Sequence, residues 1–176
     1  MKYIYLMLAA TLIAVSASAQ SPRNEMESRH EERVQQRDIR HQNDLKFMDS
    51  VVLSRNFQFN PDRFQQEPAG MMHSIYGIQY MLAIRDNYMD IDMPYIAGSV
   101  PPYRLKIINY ITFDMQNYAA VQDEDGWTVS FSSNLYTGNK YTFTLKIYSI
   151  TREGVLNIAS DAFPTVTYYG SVQAIY

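Results

Sequence analysis

The side chains of this chain that could carry chemistry are carboxylates, three histidines and a surplus of tyrosine, because it has no cysteine. Thiolate metal sites, cysteine nucleophiles and disulfides are therefore excluded. Asp90 and Asp92 stand two apart in an alternating stretch. They share one strand face, about 7 Å apart at a rise of roughly 3.3 Å per residue, with Asp86 in the turn before them. Such a pair could hold calcium weakly or act as glycosidase carboxylates, which lie roughly 5–10 Å apart. The plainer reading is a solvent face whose charges discourage edge pairing. His30, His41 and His73 show no i,i+4 or H-x-H spacing and read as solvated, so no metal is expected. Asp123-Glu124-Asp125-Gly126 has the acidic run of an EF-hand loop. However, Val121 holds the first ligand position and Ser132 that of the bidentate glutamate, so it reads as a hairpin turn. No Gly-x-Ser-x-Gly elbow, phosphate loop or dinucleotide fingerprint occurs. No catalytic residue and no cofactor is assigned, and a hydrolase is the least supported function.

Tyrosine is the surplus, with 15 residues in the chain. Tyr76, Tyr80, Tyr141 and Tyr168 fall in register with Ile78, Leu82, Phe143 and Val166 and read as core-facing. Tyr88, Tyr148 and Tyr169 alternate to the other face. A phenol brings an apolar ring and a hydroxyl that needs a partner, which suits a cavity for an amphipathic ligand or a surface that stacks on sugar or protein. The candidate ligand contacts are Tyr76, Tyr80, Leu82, Tyr95, Tyr103 and Tyr168. Core filling and strand propensity compete with that reading.

The elements that must position these residues follow from patterning. Lys2, the apolar run Ile4 to Val15 and the small residues Ser16-Ala17-Ser18-Ala19 form a secretory signal peptide, with cleavage expected between Ala19 and Gln20. The apolar run is too short for a stable anchor. The lack of cysteine at the cleavage site argues against a lipoprotein. The mature chain of 157 residues carries a formal charge of −4, since only Lys2 is lost from the 15 basic residues set against 18 acidic ones. That size supports one domain without staples, and mild acidity makes nucleic acid and anionic membrane poor partners. Gln20 to Asn43 is almost wholly polar and reads as a flexible or helical lead. Asp44 is placed to cap a better helix, in which Leu45, Met48 and Val52 share a face with Phe47 and Val51 beside them.

Downstream, period-two alternation dominates. It runs through Asn56 to Phe59, halted at Asn60-Pro61, then Tyr76 to Ile84, a turn at Asp86-Asn87, and Tyr88 to Met93 with Pro94 ending its pairing. Further strands are expected at Tyr110 to Phe113, Tyr118 to Gln122, Trp127 to Phe131, Tyr141 to Ile147, Gly154 to Ile158 and Val166 to Ala174. Eight or nine strands with short turns imply an antiparallel meander. An apolar face must then be covered by closure or by a second sheet. The expected fold is mostly β: an up-and-down, lipocalin-like barrel of about eight strands with an N-terminal helix, in a single domain over residues 44–176. A sandwich is the second choice.

Met93-Pro94-Tyr95-Ile96-Ala97-Gly98, followed by Tyr103, Phe113 and Tyr118, and then by Phe143-Thr144-Leu145-Lys146-Ile147 and Val166-Thr167-Tyr168-Tyr169-Gly170-Ser171-Val172, carries a resemblance. It resembles the secreted bacterial domain of unknown function 4251 family, over about Ser50 to Val172. The resemblance implies a small envelope protein with a lipocalin-like barrel and no assigned catalytic residues. Family members often have an Arg or Lys soon after the Gly, where this chain runs Ser99-Val100-Pro101-Pro102. The expected function is a periplasmic or secreted, non-catalytic protein that binds a small apolar or amphipathic ligand. The alternative is an envelope interaction protein whose outward tyrosines and Tyr95 to Tyr103 loop meet another protein or a glycan.

Overall fold

The computed structural model describes residues 22–68, 70–77, 79–97, 104–136 and 138–176. The expected signal peptide, most of the loop to Tyr103, and Tyr103 itself lie outside them. The chain divides into two compact units, Met1–Gln42 and Asn43–Tyr176.

Among the described residues there is one helix, α1 (Pro22–Leu53). The cap expected at Asp44 is not there. Glu, Arg and Gln before it are good helix formers, so the helix continues through Asp44. The Asp44 carboxylate instead accepts a hydrogen bond from Arg152 at 2.9 Å. The side chains described from Glu25 to Asn43 are exposed, whereas Met48, Val51 and Val52 are buried. Within the second unit this last stretch packs on the core. Asp49 Oδ1 accepts from Trp127 Nε1 at 2.8 Å and from Gln122 at 3.1 Å, and the Arg152 guanidinium lies 4.8 Å over the Phe47 ring.

Ten strands follow: β1 (Asn56–Gln66), β2 (His73–Ser74), β3 (Met81–Arg85), β4 (Tyr88–Ala97), β5 (Arg104–Thr112), β6 (Gln116–Gln122), β7 (Gly126–Leu135), β8 (Asn139–Tyr148), β9 (Glu153–Ser160) and β10 (Val166–Ala174). They form one sheet in the order β5-β4-β3-β1-β10-β9-β8-β7-β6, with β2 on β1, and every ladder is antiparallel. The first and last strands are neighbours, so the free edges of this meander are β5 and β6, which follow one another in sequence. The sheet is not closed: among the described residues no ladder joins β5 to β6. Side chains bridge the gap instead. The Tyr136 hydroxyl accepts from the Asn109 N–H at 3.2 Å and donates to the Asn109 carbonyl at 3.3 Å, occupying both backbone groups that a strand partner would take.

The sheet rolls so that one face meets itself. Rings on β4 and β8, Tyr95 and Tyr141, lie 6.3 Å apart although four strands separate them in the sheet. The interior is filled by large side chains, among them Phe57, Phe59, Met89, Phe143 and Tyr168, all fully buried. An interior of this size holds either side chains or one small ligand. Here side chains take the space, so ligand contacts have to be sought at the rim.

Several strand boundaries differ from the sequence expectation. β1 does not stop at Asn60-Pro61 but passes through a register shift between Pro61 and Arg63 and continues to Gln66. Proline is tolerated at such a bulge because it has no N–H to leave unpaired. Opposite it, a Cβ on Gly170 would lie 2.0 Å from the Asn60 carbonyl oxygen. Gly170→Ala must therefore push β1 and β10 apart. We expect it to cost about 3 kcal/mol, the upper range for overpacking, measured by urea unfolding. A cost below about 0.5 kcal/mol, typical of neutral surface changes, would contradict that packing. β4 does not stop at Pro94 but continues beside β5 to Ala97, while its ladder with β3 ends at the Met81–Asp92 pair. Pro94 thus stands where β4 has lost one neighbour. β3 itself begins only at Met81, and the described residues before it, Tyr76, Gly77, Gln79 and Tyr80, are irregular.

Candidate functional site

The early end of the β3 ladder leaves the upper half of β4 without a partner on that side, and a cleft of about 320 Å³ opens there. Its walls are Phe64, Ile75, Pro94, Ile96 and Leu105, with Tyr76, Tyr80, His73 and Ser74 at its rim. Phe64 is held between His73 and Tyr168, with ring centroids 5.2 and 5.9 Å away. Beneath the cleft, Tyr168 crosses the interior and donates to the Pro94 carbonyl at 2.7 Å. Tyr95 makes the reverse connection, donating from β4 to the Pro164 carbonyl, just before β10, at 2.8 Å. Two of the regions that carry the family resemblance, around Pro94-Tyr95 and around Tyr168, are therefore strapped together by one tyrosine from each.

A second cleft, of about 350 Å³, lies beside the free edge of β5, lined by Tyr95, Lys106, Ile107, Ile108, Tyr136, Asn139, Tyr141 and Phe163. A third, of about 320 Å³, is rich in amides: Gln58, Asn60, Gln79 and Gln173 surround it with Pro61 and Tyr80. Among the described residues no carboxylate lines any of these three clefts.

The candidate contacts divide accordingly. Tyr76, 84% exposed, lines the first cleft rather than facing the core, whereas Tyr80, half-buried, both lines the cleft and packs against the core. Leu82 is fully buried and fills the interior. Tyr168 lies under the first cleft, and Tyr95 lines the second. The residues missed by sequence reasoning are Phe64, Ile75, Ile96 and Leu105. Phe64 was hidden by the bulge, which shifts its alternation, and Leu105 comes from a strand whose start was placed too late. His73, read as solvated, is exposed and stacks on Phe64.

Asp90 and Asp92 are half-buried on the outer face, opposite Ile111 and Asn109 of β5, and neither lines a cleft. Asp123 is a turn residue: its Oδ1 accepts from the N–H groups of Asp125 and Gly126 at 3.0 and 3.1 Å. Its other oxygen pairs with Lys146, and that hydrogen bond holds the carboxyl below its usual range.

Fold and clefts together define a small antiparallel protein with a rolled sheet, a filled core and apolar clefts at its margins. The chain belongs to the DUF4251 family, whose model, described as a domain of unknown function, matches residues 40–172. It is also similar in fold to the crystal structure of a DUF4251 family protein from Bacteroides eggerthii. The TM-score is 0.57 at 12% sequence identity, over 74% of this chain and 87% of that one. No protein of curated function matches.

Proposed function

We propose that this chain is an exported, non-catalytic binding protein whose cleft between β2 and the unpaired half of β4 takes a small apolar or amphipathic molecule. The observation that carries this reading is the cleft itself: five apolar wall residues, tyrosines at the rim, and a floor fixed by the Phe64–Tyr168 stack. Few convergent polar groups over apolar walls are the usual make-up of a small-molecule site. On this reading the rolled sheet is a lipocalin-like barrel left open between β5 and β6, with its ligand at the margin rather than in the interior. Export rests on the signal peptide pattern at Lys2 to Ala19.

Native mass spectrometry of protein purified gently from its own cell envelope, compared with protein refolded from denaturant, tests the reading. The expected result is an extra mass of a few hundred daltons that refolding removes. Tyr76→Ala should abolish it while changing stability by no more than about 0.5 kcal/mol, as for other exposed positions. A clean apo mass in both wild-type samples would count against the ligand.

The amide-lined cleft favours a second reading, an envelope interaction protein that contacts a glycan. Amide side chains beside the half-buried Tyr80 ring bring together the donors, acceptors and aromatic surface that a sugar requires.

A further inference from the structure

We infer that the cleft beside β5 is a separate binding site, selective for amphipathic carboxylates: one negative head on an apolar body. Its floor is made of rings. Tyr95 and Tyr141 meet edge to face at 6.3 Å, and Tyr95 and Phe163 likewise at 6.0 Å. The Tyr95 hydroxyl is turned away, donating to the Pro164 carbonyl, so the floor offers apolar surface. Ile108, almost wholly buried, completes it.

The rim decides the charge of the occupant. A cluster of tyrosine and phenylalanine rings would by itself favour a cation, which is drawn to ring faces. Here that position is already taken: the Lys106 ammonium lies 5.8 Å over the Phe163 ring. A second cation would meet it as a like charge. Among the described residues no carboxylate pairs with Lys106, so an entering carboxylate would be its first ionic partner. Tyr136 cannot serve as the head-group donor because its hydroxyl is occupied at the Asn109 backbone. Asn139 supplies an uncharged amide at the same rim. A volume of about 350 Å³ lies at the small end for ligand sites and suits a short chain or a fused ring pair.

The test uses decanoate and decyltrimethylammonium, which share a chain and differ in head charge, with the full mature protein labelled at isoleucine methyls. Wild type should bind decanoate at least about tenfold more tightly than the cation, with the largest shifts at Ile107 and Ile108. Lys106→Glu, on an exposed side chain, should reverse the preference. Lys106→Gln should lose most of the preference for decanoate without gaining one for the cation. Equal binding of both probes, no binding of either by wild type, or a preference unchanged in Lys106→Glu would overturn the inference. Decanoate shifts confined to Ile75 and Ile96 would also overturn it, and would instead place an amphipathic molecule in the cleft between β2 and β4. The two sites therefore succeed or fail separately.

Discussion

A chain beginning at Asn43 is expected to fold with the stability of the full mature protein, whereas one beginning at Ser54 should not fold at all. The first cut removes helical residues whose described side chains are all exposed, and exposed helix contributes little without an apolar face to dock. The second cut removes Met48, Val51 and Val52, each buried to 5% exposure or less. At about 2 kcal/mol for each apolar side chain returned to water, that is on the order of 6 kcal/mol. It also removes Asp49, the acceptor for Trp127 Nε1, and a hydrogen bond to a charged group contributes about 1.5–3 kcal/mol. Domains of this size are stable by only about 5–15 kcal/mol, so the loss is comparable to the whole. Circular dichroism and urea unfolding of the two truncations check this. A folded Ser54–Tyr176 fragment would mean that the helix merely decorates the sheet. A large loss in Asn43–Tyr176 would mean that the polar lead carries stability. Met48→Ala separates the terms within the intact chain: it should cost about 2–5 kcal/mol, as for other fully buried large side chains.

The sequence made the regular half of this fold legible because one buried face imposes strict alternation. Trp127, Val129 and Phe131 on β7 and Tyr141, Phe143, Leu145 and Ile147 on β8 are all buried, as their spacing requires. The same logic failed where alternating residues do not form a strand. Tyr76 and Tyr80 keep the alternation of a strand, yet they precede β3, with a bend and a positive φ at Gly77 between them, and line a cleft. Alternation alone does not show that the backbone is extended or that a neighbour is present. Pro94 was misjudged for a related reason. Proline ends pairing only on the side to which its N–H would point, and the sequence does not reveal that β3 has already ended there. Closure of the sheet was equally out of reach. Whether β5 and β6 pair depends on three connecting residues and on the Tyr136 hydroxyl bound to the Asn109 backbone, 27 residues away. The first two clefts inherit these blind spots, since each forms where a strand lacks a neighbour.

The tyrosines that strap the roll together should also make the protein unfold in alkali. Burial pushes the Tyr168 phenol well above its ordinary value of 10.0, with Tyr95 nearby adding to the effect. Tyr95, Tyr118 and Tyr141 are raised as well, each chiefly by burial. Below pH 10 these groups are neutral in both folded and unfolded chains, and what they contribute is fully present. Above it the unfolded chain loses its phenolic protons first, so the unfolded state binds fewer protons and stability falls as pH rises, until the folded-state values are passed. Each pH unit in that window removes up to about 1.4 kcal/mol through Tyr168 while it stays neutral in the folded state, and Tyr95, Tyr118 and Tyr141 add smaller amounts because solvent screens them more. Tyrosinate absorbance and near-ultraviolet circular dichroism followed over the same titration check the expectation. The buried phenols should ionise only as tertiary structure is lost, in one cooperative step above pH 10. Tyr168→Phe tests the strap at neutral pH. It leaves the Pro94 carbonyl buried without its donor and should cost about 1–3 kcal/mol. It should also move alkaline unfolding to higher pH relative to neutral stability, because one titrating group is gone. Smooth ionisation of all four phenols in a folded chain would show that water reaches them and that the strap is not closed.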